Sequence, residues 1–208
     1  MTKTRVKICG ITSIEDALVA VDAGADALGL VFYEASPRSV SISQARQIAL
    51  AVGPFVVVTG LFVDADPEFV NAVLNDVPLQ LLQFHGNESP DYCSFFHRPY
   101  IKALRMRPEL DVVTSIDSYP NASGILLDAY RPGVPGGTGE TFEWTRVPAQ
   151  SLKPIVLAGG LTPDNVGEAI RTVSVYGVDV SGGVELAPGK KDQSKVTSFI
   201  NNARLAAG

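Results

Sequence analysis

Two side chains able to move protons stand where strands should end: Cys9 in "VKICGIT" and Asp128 in "GILLD". A free thiol ionises near pH 8.5, so a few per cent is thiolate at neutral pH and can serve as base or nucleophile. An isolated cysteine is also a good small buried apolar residue. Cys93, mid-helix in "PDYCSFF", reads that way. An acid at the rim of an apolar barrel is partly desolvated, which lets it keep a proton to donate. Its plainer role is to cap the next turn. Neither residue has HExxH or CxxC spacing, so no metal site is expected.

Other polar residues fall at comparable positions. Arg38 in "SPRSV" can hold a carboxylate or phosphate with two parallel hydrogen bonds, or stand solvated in a loop. His85 in "FHG" can polarise a substrate oxygen or donate to a nearby carbonyl, and Arg105 follows a further strand. Two glycine turns come late in the chain. "AGG" carries Gly159 and Gly160; "VDVSGG" carries Asp179, Ser181, Gly182 and Gly183. Glycine lets the backbone approach a ligand closely, and paired turns of this kind suit a phosphate cradle as well as they suit tight turns.

The elements that must position these residues are short apolar runs alternating with amphipathic stretches. The strand candidates are "RVKIC", "ALGLVF", "FVVVTGLFV", "LQLLQF", "YIKAL", "GILLD", "KPIVLA" and "YGVDV". Most lack polar alternation, as in a parallel sheet covered on both faces. Between them run helix signals with Ser, Thr or Asp at the start, such as "TSIEDALVAVDAG" and "DADPEFVNAVLNDV". Eight strands and about eight helices predict a compact single-domain (β/α)8 barrel over residues 1–208. In that fold the strand C-termini carry the active site. A doubly wound sheet is the rival, but the first turn reads "CGIT" rather than G-x-G-x-x-G. The stretch "AYRPGVPGGTGETFEW" predicts a long, mobile loop, with at most a short helix after it.

The chain has 208 residues, 46% of them hydrophobic and 19% charged, with a formal net charge of −5. No long basic run occurs, which argues against nucleic acid or an anionic membrane as partner. Two cysteines do not make a disulfide framework, and the N-terminus lacks the apolar core of a signal peptide. A cytoplasmic protein is expected.

The pieces "KICGIT", "GLVFYEASPRSV", "LQFHGNE", "ILLDA", "GGTGETFEW", "LAGGLTPDNV" and "VDVSGGVE" resemble, in order and over nearly the whole chain, the phosphoribosylanthranilate isomerases of tryptophan biosynthesis. The resemblance implies a TIM barrel performing an Amadori rearrangement of N-(5-phosphoribosyl)anthranilate to an aminoketose. It implies Asp128 as general acid, Cys9 as general base, and Arg38 on the anthranilate carboxylate. The two glycine turns would hold the phosphate, and no cofactor would be needed. The glycine content of "RPGVPGGTG" separately predicts a loop that folds over the substrate. The expected partner is the phosphorylated aminosugar alone, with a monomer as the assembly and a homodimer as the alternative. Gly182 and Glu143 depart from the family's commoner Ser and Asp. The enzymatic alternative is the related aminoaldose isomerase of histidine biosynthesis, which uses two aspartates where this chain has Cys9 and Asp128. The non-enzymatic alternative is a phosphate-sugar binding barrel.

Overall fold

The computed structural model describes residues 4–129 and 142–206. The "RPGVPGGTG" loop, expected to be mobile and to fold over substrate, lies outside the described residues. Eight parallel strands close into a ring in chain order. They are β1 (Arg5–Cys9), β2 (Ala27–Val31), β3 (Val57–Phe62), β4 (Leu81–Phe84), β5 (Tyr100–Arg105), β6 (Gly124–Asp128), β7 (Ile155–Leu157) and β8 (Gly177–Val180). All eight candidate runs are strands, and "GILLD" and "RVKIC" match β6 and β1 residue for residue.

Seven α-helices are seen among the described residues: α1 (Ile14–Asp22), α2 (Ile42–Ala51), α3 (Pro67–Asp76), α4 (Pro90–Phe95), α5 (Val112–Asp117), α6 (Val166–Thr172) and α7 (Gln193–Ala206). Between β6 and β7 the described helix is one 3₁₀ turn, Trp144–Arg146. The side chains of Ser13, Ser41, Asp66, Ser89 and Asp111 each accept a backbone N–H in the first turn of α1 to α5. Such caps contribute about 0.5–2 kcal/mol apiece. Pro67 and Pro90 sit in the first turn, where a missing N–H costs nothing. One feature was not anticipated. After β8 the chain makes a small antiparallel pair, β9 (Glu185–Ala187) and β10 (Lys190–Lys191).

Strand side chains alternate between two environments. Outward residues such as Val6, Ile8, Leu28, Leu30, Phe62 and Phe84 pack under the helices in the main apolar core. Inward residues Ile101, Ala103, Leu126 and Ala158 fill part of the barrel interior. Because β1 alternates, Lys7 and Cys9 point inward while Val6 and Ile8 face the helices.

The loop that follows β4 is pinned from below. Lys102, buried on the outer face of β5, donates to Glu88 Oε2 and to the Gly86 carbonyl at 2.7 Å each. Glu88 Oε1 accepts the backbone N–H of Asp64 at 2.9 Å and of Gly86 at 3.0 Å. This ion pair ties the loops after β3 and β4 together, immediately past His85.

Candidate active site

A cavity of about 460 Å³ opens at the C-terminal ends of the strands, a size suited to a small ligand. Cys9 lines it from β1 and Asp128 from β6, on separate walls. His85, Arg38, Gly159, Gly160, Asp179, Ser181, Gly182 and Gly183 line it too, so of the residues singled out at strand ends and turns only Arg105 stands outside this space. Cys93 does not line it; it is buried in α4, and both cysteines are free thiols.

Asp128 closes β6 and is only 4% exposed. Its Oδ2 lies 3.0 Å from His85 Nε2, and His85 Nδ1 lies 3.0 Å from Gln83 Nε2. The Gln83 amide donates to Nδ1, which places the ring proton on Nε2, donated to the carboxyl. Gln83 and His85 share the inner face of β4 by strand alternation, so this relay is fixed by backbone register. Arg105, the other strand-end cation, donates from Nη2 to the His85 carbonyl at 3.1 Å and does not line the cavity.

Arg38 is held by Glu185 in a two-point pair, Nε to Oε1 at 2.8 Å and Nη2 to Oε2 at 2.7 Å. Lys191 Nζ also donates to Glu185 Oε1, at 2.8 Å, and to the Ser181 carbonyl at 3.3 Å. Burial opposes the charge on Glu185, but Arg38 and Lys191 overcome it and hold the carboxyl below its ordinary range. Burial also pulls the Lys191 ammonium down, against the opposing pull of Glu185. The β9–β10 hairpin therefore fixes both Arg38 and the turn after β8.

The two glycine turns lie against each other. Gly159 and Gly160 have φ of +82° and +64°, a backbone region that glycine enters without strain. A Cβ on Gly159 would collide with the Ala129 backbone, and one on Gly183 with the Leu161 carbonyl. Ser181 Oγ is buried without a hydrogen-bond partner among the described residues. A buried hydroxyl left this way is available to a ligand oxygen. Opposite, Val31, Leu61 and Val63 with Tyr33 make an apolar wall next to Cys9.

Four residues that shape the site escaped the reading of the sequence: Lys7, Gln83, Glu185 and Lys191. Lys7 and Gln83 could have been flagged as polar residues spaced two before Cys9 and His85. Glu185 ends the quoted "VDVSGGVE" piece.

The chain matches the family model described as N-(5'-phosphoribosyl)anthranilate (PRA) isomerase over residues 6–202. It is 66% identical over 207 residues to the N-(5'-phosphoribosyl)anthranilate isomerase of Cellvibrio japonicus, covering all of this chain and 96% of that one. To that of Pseudomonas fluorescens strain SBW25 it is 57% identical, over all of this chain and 99% of the other. Among solved structures, the Thermotoga maritima phosphoribosyl anthranilate isomerase superposes with a TM-score of 0.86 at 42% identity, covering 96% of this chain and 98% of that one. A phosphoribosyl anthranilate isomerase in complex with reduced 1-(o-carboxyphenylamino)-1-deoxyribulose 5-phosphate superposes at 0.82 with 40% identity, over 96% and 98% of the two chains. With the barrel, the strand-end acid and thiol, and the paired glycine turns in place, this chain belongs to the N-(5'-phosphoribosyl)anthranilate isomerase family.

Proposed function

We propose that this protein isomerises N-(5-phosphoribosyl)anthranilate to 1-(o-carboxyphenylamino)-1-deoxyribulose 5-phosphate, with Asp128 as general acid and Cys9 as general base. The observation that carries the residue roles is that these two side chains, from β6 and β1, line one cavity between an anion cradle and an apolar wall. The phosphate belongs at the turns after β7 and β8, on backbone N–H groups and the unpartnered Ser181 hydroxyl. The aryl ring lies along Val31, Leu61 and Val63. Its carboxylate meets the edge of Arg38 that Glu185 leaves open. The ribose then spans the centre, between acid and base.

Protonated Asp128 gives its proton to the ring oxygen. The C1–O bond breaks as the nitrogen lone pair forms a cationic imine. That cation acidifies the proton on the adjacent carbon, and the Cys9 thiolate removes it to leave an enolamine. Tautomerisation of the enol gives the ketone without any net redox change. Asp128 has lost one proton and Cys9 has gained one, so solvent exchange resets the enzyme. His85, donating to Asp128 Oδ2, leaves Oδ1 to carry the transferred proton. General acid and base steps each contribute roughly 10²–10⁴-fold, and anchoring both ends of the substrate adds the benefit of orientation.

The test is consumption of the fluorescent anthranilate aminosugar by purified protein, with Cys9→Ser as control. Turnover that vanishes in the variant supports the reading. Equal turnover of both proteins sinks the base assignment, and conversion of the histidine-pathway aminoaldose instead would reassign the substrate.

A further inference from the structure

Lys7 precedes Cys9 by two residues on the same inner face of β1. Its side chain is 7% exposed and does not line the cavity. Its Nζ donates to Asp179 Oδ1 at 2.9 Å, and the two residues are register partners between β1 and β8. Such a buried pair gives the fold little that well-packed apolar side chains would not. Gly29 of β2, the register partner of Cys9, shows what else the ammonium meets. A Cβ there would lie 2.6 Å from Cys9 Sγ and 3.0 Å from Lys7 Nζ. The missing side chain leaves one small space that sulfur and nitrogen share.

We propose that Lys7 is a positioning residue for the reaction: its ammonium, shared between Asp179 and the Cys9 sulfur, steadies the thiolate that takes the proton. Asp179, expected at the sequence level to touch substrate, is then chiefly the counter-ion that sets how much of that charge the sulfur feels. This rests on the reading of Cys9 as base. Burial pushes the Cys9 thiol up, Lys7 pulls it down, Asp179 pushes it up and Lys191 of β10 pulls it down; the balance lies above the ordinary thiol value. Arg38 faces it from the loop after β2, with the single Glu185 carboxylate paired to both Arg38 and Lys191; Asp128 and His85 face it across the cavity. Burial works against charge on Lys7, but Asp179 and Cys9 outweigh it and hold the ammonium above its ordinary value.

The experiment follows alkylation of the full-length protein by iodoacetamide against pH, quantified on the Cys9 peptide by mass spectrometry. Lys7→Met removes the cation and raises the pH midpoint, by about one unit or more. Asp179→Asn frees the ammonium for the sulfur and lowers the midpoint. These opposite signs distinguish an electrostatic role from a structural one. Midpoints that stay in place, or move in the same direction, overturn the proposal. Should Lys7→Met fail to fold around the stranded carboxylate, Asp179→Asn decides alone: a midpoint unmoved or raised is fatal. Alkylation reads ionisation without turnover. An active Cys9→Ser enzyme would therefore remove the base assignment, whereas unmoved midpoints beside an inactive Cys9→Ser would remove only the role of Lys7.

Discussion

The imidazole of His85 sits 3.0 Å from the carboxyl of Asp128, braced on its far side by the Gln83 amide. In the proposed reaction the contact orients the Asp128 carboxyl and leaves its other oxygen for substrate. Replacing His85 by Ala should lower kcat roughly 10–100-fold, the worth of one hydrogen bond to the carboxylate that forms as Asp128 gives up its proton, while KM changes little. Steady-state kinetics check this. A large rise in KM at unchanged kcat would make His85 a substrate ligand instead.

Removing either proton-transfer group should be more severe. Cys9→Ser and Asp128→Asn are each expected to cut kcat by roughly 10²–10⁴-fold. Both should still bind a reduced product analogue, measurable by calorimetry. Loss of binding in step with loss of rate would point to a collapsed site rather than missing chemistry.

Arg38 and Glu185 separate binding from stability. Arg38→Ala should raise KM roughly 10–100-fold through the lost contact to carboxylate. Glu185→Gln leaves the buried Lys191 and the half-buried Arg38 with a neutral partner and should cost about 3–5 kcal/mol in urea unfolding at neutral pH. Because the folded Glu185 carboxyl titrates below its ordinary range, its stabilisation is complete above the unfolded value and fades as pH falls through the folded one. The gap between parent and variant should therefore narrow below about pH 4. A gap independent of pH would locate the effect in packing.

The two thiols should behave differently. Burial pushes Cys93 up to about 12, with Lys102 pulling the other way. Cys9 is raised too, yet it borders the cavity. In native protein near pH 9, iodoacetamide should label Cys9 and spare Cys93. Equal labelling would mean that α4 opens on the timescale of the reaction.

Gly183→Ala tests the cradle. The added methyl would collide with the Leu161 carbonyl, so the turns after β7 and β8 must part. Competitive inhibition by inorganic phosphate should weaken about tenfold or more, the equivalent of about 1.4 kcal/mol. Undiminished inhibition would move the phosphate elsewhere.

Strand ends were legible because "RVKIC" and "GILLD" are apolar runs that stop on a polarisable or charged residue. Reading those stops gave Cys9, His85 and Asp128. Caps at Ser13 and Asp66 were legible because capping is local. Lys7 and Gln83 were not, since a polar residue inside a strand looks like solvent exposure until the ring closes around it. Glu185 and Lys191 were missed for another reason. Their pair exists only because the short β9–β10 hairpin folds back on Arg38, a contact between segments 147 residues apart.

The clamp of Glu185 on Arg38 also bears on selectivity. On the proposed reading, a guanidinium gripped along one edge cannot swing to follow its guest and serves as a fixed gauge at the aryl end of the pocket. On that reading a planar ring with an ortho acid fits the gauge, whereas a larger aglycone would have to displace the arginine and strand the glutamate. Discrimination between the two aminoaldoses would then reside in a hairpin that never touches the reacting carbons.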